Sequence, residues 1–320
     1  MTREIADDAI ALLRDRFDVE VRDEGRPIGR RELLAAVRGR SALVSMLTDR
    51  IDDEVLEAAG EELRIVANHA VGIDNVDVEA CTRRRVLVTN TLDVLTEATA
   101  DLTWGLILAA VRRIVEGDRL VRGGRAWSWA PLFMLGRQLG GRTLGIVGLG
   151  RIGRAVAARA RGFGMRVLYH SRTRQPDAGP ELGAEHRSLD DLLREADVVT
   201  LHVPLHEATR RLFGEREFRS MKPTAVFVNT SRGAVVDEAA LADALARGEI
   251  FAAGLDVYER EPEVHPRLLE LDNVVLAPHL GSATVDTRVA MGVAVAQNVV
   301  AALEGNRPPN LVNDSAWETA

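Results

Sequence analysis

The chain has 320 residues, enough for two domains, and 46% of them are hydrophobic, enough to fill a core in each. Its net charge is -7, with Arg and Asp/Glu interspersed, so no basic stripe marks a nucleic-acid surface. A single cysteine, Cys81, excludes an internal disulfide and a cysteine-rich zinc site, and no metal site is expected. The start, Met1-Thr2-Arg3-Glu4-Ile5, has no apolar signal core, and no apolar run reaches the length of a membrane span. A soluble cytoplasmic protein is the expectation.

Residues 4–16 place Ile5, Ala9, Leu12 and Leu13 at helical spacing, and Phe17-Asp18-Val19-Glu20-Val21 alternates as a strand does. Helices are predicted at 31–38, 52–59 and 78–83, and strands at 42–46, 63–67 and 86–89. Strands alternating with helices predict a parallel, doubly wound layer. Cys81 lies near the end of a short helix and reads as structural. One long helical segment is predicted from Thr96 to about Arg122, and Gly123-Gly124 ends it. The loop beyond holds Trp127 and Trp129. They either pack on their own domain or reach a partner or a ligand site, where Trp is enriched.

A second layer begins at Leu144-Gly145-Ile146-Val147, which reads as a buried strand. Gly148-Leu149-Gly150-Arg151-Ile152-Gly153 follows, then a helix over 155–160 and a second strand over 166–169. Glycines permit a tight turn and close approach of the backbone to a pyrophosphate, and the helix start aims unpaired N–H groups at it. The strand before and the helix and strand after are the context this motif requires. Further strands are predicted at 197–201, 225–229, 252–257 and 274–277, with helical stretches between all but the last two. The helix over 286–303 is predicted to cross back to the first layer. The expected fold class is therefore α/β, with two doubly wound parallel-sheet domains. One, discontinuous, spans 1–97 and 286–320; the other, dinucleotide-binding, spans 98–285 and is inserted into it.

In such folds an acidic residue about 20 positions beyond the glycines takes the ribose 2′-hydroxyl. Here that place reads His170-Ser171-Arg172-Thr173-Arg174, with no carboxylate. A hydroxyl and two guanidinium groups suit a 2′-phosphate, so NADPH is the preferred cofactor and NAD a possible one. Ligands sit beyond the C-terminal ends of the strands. Three such ends carry Arg232, Glu261 and His279, which converge if the strands are neighbours. The set fits hydride transfer to a 2-keto acid. His supplies a proton near neutrality, a carboxylate beside it favours the imidazolium, and Arg holds a carboxylate with a rigid fork of donors.

These residues identify a resemblance. The chain resembles the D-isomer-specific 2-hydroxyacid dehydrogenases, most closely the glyoxylate/hydroxypyruvate reductases, over almost its whole length. The specific stretches are 68–75 (Asn-His-Ala-Val-Gly-Ile-Asp-Asn), 96–101, 148–153, 229–237, 254–262 and 278–284. The resemblance implies a Rossmann domain inserted into a flavodoxin-like substrate domain, with closure about a hinge near 95–99 and 281–286. It implies His279 as general acid/base, Glu261 as its partner and Arg232 as the substrate-orienting cation. Backbone N–H groups of Val71 and Gly72 would hold the substrate carboxylate. Asp256 would bond the nicotinamide carboxamide. Thr99, Val203, Pro204, Thr209, Thr230 and Ser231, with Arg232 and His279, would line the cofactor. The other histidines, His170, His186, His202, His206 and His265, read as structural, with only the His202 backbone near the cofactor.

The resemblance also implies a homodimer in which Trp129 reaches the partner's substrate site. Members of the family usually open with a short apolar strand before the segment matching Thr2-Arg3-Glu4-Ile5; here that strand is absent. Phosphoglycerate dehydrogenases carry a basic residue at the end of the first domain's third strand. The matching Met46 and Leu47 are apolar, and Arg50 lies past a turn. An apolar wall does not compensate the desolvation of a phosphate dianion. It suits glyoxylate or hydroxypyruvate unless both side chains face the core. The competing readings are a phosphoglycerate or phosphite dehydrogenase of the same fold and, from another class, a nicotinamide-sensing corepressor or scaffold.

Overall fold

Asp7–Arg14 forms the first helix, α1, because Ala9, Ile10 and Leu13 line one buried face, with Asp7 and Asp8 in the first turn and Arg14 in the last. That charge order complements the helix dipole. The computed structural model describes residues 1–318. Helices Arg30–Ala36 (α2), Asp53–Ala59 (α3) and Val78–Arg83 (α4) alternate with strands Ala42–Ser45 (β1), Ile65–Asn68 (β2) and Leu87–Thr89 (β3). Asp52 and Asp77 cap α3 and α4 by accepting the N–H groups of Val55 and Ala80. The strands are parallel in the order β1-β2-β3. Central β2 is buried throughout, as a parallel strand covered on both faces must be.

The strand expected at 17–21 does not form. Phe17 and Val19 do pack on a core, which explains the alternation. The main-chain bonds here are scattered, however: the Met1 ammonium donates to the Glu20 carbonyl, Arg22 N–H to the Met1 carbonyl, and Thr2 N–H to the Val44 carbonyl. Too few residues face one another to make a ladder.

The helix expected as one from Thr96 to Arg122 is two, Thr96–Val111 (α5) and Ile114–Arg122 (α6). Arg113 between them is left-handed, with φ 54°. Its guanidinium donates twice to Glu116 at 2.7 Å. The Val111 carbonyl, which a continuing helix would use, instead accepts the Arg137 N–H. α5 is buried along most of its length, whereas α6 buries nothing.

Seven parallel strands follow: Thr143–Val147 (β4), Arg166–His170 (β5), Ala184–His186 (β6), Val198–Leu201 (β7), Val226–Asn229 (β8), Ala252–Leu255 (β9) and Val274–Leu276 (β10). Their order is β10-β9-β8-β7-β4-β5-β6. The order reverses between β4 and β7, the switch point at which doubly wound sheets bind ligands. The helices are Arg151–Ala160 (α7), Ala178–Leu182 (α8), Leu189–Glu195 (α9), Glu215–Ser220 (α10), Glu238–Ala246 (α11) and Pro266–Glu270 (α12). Two corrections arise here. β6 was not expected, being three residues at a sheet edge with an exposed Glu185 at its centre. β9 and β10 are joined through α12, a single short turn of helix opened by Pro266.

Val285–Leu303 (α13), capped by Thr284, packs on α1 and β2, and Asp314–Glu318 (α14) packs on α4. The chain divides into two compact units, Met1–Leu95 with Ala283–Ala320, and Thr96–Ser282. In the first, Leu43, Val66 and Val88 pack on one side of the sheet, and Val44, Ile65, Ala67 and Leu87 pack with α1 and α13 on the other. In the second, Phe213, Phe218 and Phe227 centre one core, and Trp104, Ile107 and Ile146 the other. Cys81 is buried, and burial pushes its thiol up to about 12. No helix among the described residues is long and apolar enough to cross a membrane.

Candidate active site

The loop between β4 and α7 shows why its glycines are needed. Gly148 has φ 98°, and a side chain there would place Cβ 2.5 Å from the His202 carbonyl oxygen. Gly150, at the start of α7, opens on free space. The first N–H groups of α7 have no intrahelical acceptor, so the loop presents donors and room for a pyrophosphate. At the end of β5, the Ser171 hydroxyl donates to the Thr173 carbonyl at 2.7 Å and curls the loop. Arg172 and Arg174 are exposed there. The next carboxylate along the chain, Asp177, is paired with Arg154, which also bonds Glu181 at 3.1 Å.

After β7, Val203 and Pro204 form a turn shaped by Thr209. Its hydroxyl donates to the Pro204 carbonyl at 2.6 Å and accepts the His206 N–H at 2.9 Å. His202 bonds Thr200, and burial pushes its imidazole down to about 3, so it is neutral. His170 bonds the Arg187 carbonyl, and His186 packs edge-on to Tyr169.

Strands β8, β9 and β10 are adjacent, so Arg232, Glu261 and His279 come to the same sheet edge. The turn carrying Arg232 is tied by Asn229. The Asn229 carbonyl oxygen accepts the N–H and hydroxyl of Ser231, and its amide donates to the Arg232 carbonyl. Thr230 bonds Thr103 at 2.9 Å, and Thr99 donates to the Gly281 carbonyl at 3.1 Å. Gly233 lies against the next loop: a Cβ there would fall 1.8 Å from the Tyr258 carbonyl carbon. The loops bearing Arg232 and Glu261 are therefore in backbone contact.

Glu261 Oε2 lies 2.7 Å from His279 Nδ1, and Oε1 accepts the Tyr258 N–H at 3.1 Å. Both side chains are 26% exposed. Burial pushes the Glu261 carboxyl up, but the hydrogen bond and charge of His279, the Tyr258 N–H and the Arg232 charge outweigh it and hold it below the usual range. Tyr258 donates to the Ala277 carbonyl, two residues before His279. His279 is left-handed, with φ 56°. Its N–H donates to the Asp256 carbonyl, while the Leu280 and Gly281 N–H groups donate to the Asp256 carboxylate at 2.6 and 2.8 Å. Burial raises the Asp256 carboxyl and outweighs those donors.

Asn229, Tyr258 and Glu238 were missed in the sequence. Buried Glu238 accepts the N–H groups of Glu259 and His265, on either side of Glu261. The only signal for it is a carboxylate directly after Asp237 at the start of an apolar helix.

In the first unit, Val71 and Gly72 follow β2. The Asn90 amide holds the Val71 carbonyl at 3.0 Å and the Asn68 amide the Gly72 carbonyl at 2.9 Å. The Ala70 carbonyl accepts the Thr91 N–H, so the peptide planes that carry the Val71 and Gly72 N–H groups are each fixed through their carbonyl. Half-buried Met46 packs on the core under α13; half-buried Leu47 joins no core. In the second unit Trp127 stacks on Phe133, while Trp129 is 81% exposed and does not pack on its own unit.

Residues 104–281 match the family described as D-isomer specific 2-hydroxyacid dehydrogenase, NAD binding domain. The glyoxylate reductase of Thermococcus kodakarensis is 55% identical over 317 residues, 98% of this chain and 95% of that one. A crystal structure of a Thermus thermophilus protein, 47% identical, superposes with a TM-score of 0.92 over 97% of this chain and 98% of that one. The NADPH-dependent glyoxylate/hydroxypyruvate reductase of Sinorhizobium meliloti, solved with NADP and malonate, is 34% identical with a TM-score of 0.84 over 98% and 96% of the two chains. The chain belongs to the D-isomer specific 2-hydroxyacid dehydrogenases and is an NAD(P)-dependent oxidoreductase.

Proposed function

We propose that this enzyme reduces glyoxylate to the achiral 2-hydroxy acid and hydroxypyruvate to the D-2-hydroxy acid, with NADPH preferred, as a cytoplasmic homodimer. The observation that carries the chemistry is the 2.7 Å pair of His279 and Glu261 beside the strand end that bears Arg232. The Gly148–Gly153 loop and the start of α7 would hold a dinucleotide, whose chemistry when bound would be hydride donation to the keto carbon. His279 gives its proton to the keto oxygen as negative charge develops there. Glu261 takes the Nδ1–H of the ring and favours the charged form before transfer. Arg232 polarises the carbonyl and orients the acid with its fork of donors. The Val71 and Gly72 N–H groups hold the substrate carboxylate. Asp256 serves the nicotinamide carboxamide, and Thr99, Val203, Pro204, Thr230 and Ser231 line the cofactor. Thr209 acts from behind that wall, through the turn it closes.

NADPH preference rests on Arg172 and Arg174 at the end of β5, where no carboxylate competes. The relative from S. meliloti is named NADPH-dependent, which supports the reading. Small substrates are favoured by Leu47 and, from a second copy, Trp129. Arg50 is a poor phosphate ligand because it is exposed and pairs with Asp52 at 3.3 Å. Steady-state rates with glyoxylate, hydroxypyruvate and phosphohydroxypyruvate, each with NADPH and NADH, test this. The expected order is glyoxylate and hydroxypyruvate well above phosphohydroxypyruvate, with NADPH above NADH. Saturation by phosphohydroxypyruvate at a lower concentration than by glyoxylate would reverse the assignment.

A further inference from the structure

The face of the first unit's sheet that packs under α13 ends in a polar patch. Alternation places Val44, Ile65, Ala67 and Leu87 on that face and Leu43, Val66 and Val88 on the other. The ladder continues past β2 and β3, with His69 N–H on the Ser45 carbonyl and Thr91 N–H on the Ala70 carbonyl. His69, Thr89 and Thr91 therefore lie on the α13 face. His69 is 6% exposed and the two threonines are fully buried. His69 Nε2 and both threonine hydroxyl oxygens are buried without a hydrogen-bond partner. Buried polar atoms are nearly always satisfied, so three at one sheet edge ask for a ligand.

α13 brings a cation to the same edge. Arg64, just before β2, donates to the carbonyls of Ala302 and Leu303 at 3.1 Å each. The end of α13 therefore lies at the start of the strands, and the helix runs antiparallel to them. From Ala302 back to Arg288 is about 21 Å of helix, against about 17 Å of strand from Arg64 to His69. Arg288 thus overlies the edge that His69 occupies. Burial lowers the Arg288 guanidinium, and no carboxylate offsets it. Burial, and then the Arg288 charge, push His69 down to about 4, so its imidazole is neutral.

We propose that Arg288, His69, Thr89 and Thr91 form an anion site on the first unit that takes a carboxylate of a small organic acid. One fixed positive charge with two threonine hydroxyls able to donate, beside a neutral imidazole, matches a singly charged anion. The planar fork of arginine matches the two oxygens of a carboxylate. His69 lies two residues before Val71, so the carboxylate is either that of the reacting end of a keto acid or a second one on the same molecule. The site is a property of the first unit and holds whether or not the reductase assignment does.

Calorimetry on the full chain tests this without turnover, with oxamate as a one-carboxylate probe and malonate as a two-carboxylate probe. The His69 ring nitrogen resonances are followed in parallel. Binding to the wild type is expected to move the His69 Nε2 resonance. Arg288→Gln should weaken binding at least about tenfold, and Arg288→Lys, which keeps the charge but loses the fork, by less than the glutamine variant. Equal loss of both probes in Arg288→Gln assigns the reacting carboxylate to the site, and loss of malonate alone assigns a second carboxylate. Undiminished binding of both probes in Arg288→Gln, failure of the wild type to bind either, or an unmoved His69 resonance overturns the site. Unchanged thermal midpoints show that the variants are folded, and the lysine variant keeps the test open if the glutamine variant is not.

Discussion

Replacing Glu261 by Gln removes a charge from His279 while leaving a hydrogen-bond acceptor in place. The two groups meet at 2.7 Å, each 26% exposed. Unit charges about 4 Å apart interact by about 1 kcal/mol in water and about 4 kcal/mol at an effective dielectric of 20. A pair a quarter exposed falls between, near 1.5–2.5 kcal/mol, which is about a 10–70-fold change in an equilibrium. The carboxyl of Glu261 lies below its ordinary range, so it is ionised throughout neutral pH. Reduction needs the ring protonated, and the protonated ring is the form the carboxylate favours. Its loss removes that attraction and cuts reduction most at the alkaline end of the profile. Gln offers one carbonyl oxygen where Glu uses two, so His279 or the Tyr258 N–H loses its acceptor. That lowers the plateau without moving the limb. The assay is kcat/KM for glyoxylate with NADPH across pH 5–10. A lowered plateau with an unmoved limb would refute the electrostatic role and leave Glu261 a purely positional one.

Three further outcomes follow from the same geometry. Arg172→Ala should lower kcat/KM for NADPH about 10–100-fold, from the loss of charge-assisted bonds of about 1.5–3 kcal/mol, and leave NADH nearly unchanged; an unaltered NADPH/NADH ratio would remove Arg172 from the cofactor site. Sedimentation at micromolar concentration should show a dimer, given the exposed Trp129, Leu132 and Leu135, and Trp129→Ala should raise KM for glyoxylate; a monomer would remove Trp129 from the site. Asp256→Asn leaves one oxygen for the Leu280 and Gly281 N–H groups and should lower kcat about 10–100-fold with a much smaller change in cofactor affinity; the reverse pattern would make cofactor binding the main task of Asp256.

Much of the fold was legible because buried parallel strands are short continuous apolar runs. β7 and β8 could be read directly from Val198–Leu201 and Val226–Asn229. β6 was not, because a three-residue edge strand centred on an exposed Glu has no such run. The break between α5 and α6 was hidden for another reason. Arg112 and Arg113 are good helix formers, and at the break the Arg137 N–H, from a distant loop, takes the Val111 carbonyl that a continuing helix would use. At the site, Arg232, Glu261 and His279 were legible as charged groups directly after apolar strands. Glu238 was not, because it acts on the backbone of another loop, and no local pattern encodes that. The α13-side patch was hidden likewise: His69 lies in a recognisable stretch, but its missing partner and its neighbour Arg288 appear only when the sheet and α13 are assembled.

The reacting groups and most of the groups that hold their loops are different residues, for a physical reason. A loop at a sheet edge that is partly buried carries N–H groups that need acceptors. If His279 supplied them, its ring would not be available to a substrate; Glu261 takes one, the Tyr258 N–H, on Oε1 and keeps Oε2 for His279. Instead Asn229 braces the Arg232 turn, Glu238 braces the loop around Glu261, and Asp256 takes three successive N–H groups at 279–281. The last brace also accounts for the backbone of His279. A left-handed conformation at a non-glycine residue costs about 1–2 kcal/mol. Two bonds to a carboxylate and one to its main-chain carbonyl, at about 1.5–3 and 0.5–1.5 kcal/mol each, exceed that cost. His279 is held in a conformation it would not adopt alone, and that conformation sets its ring against Glu261.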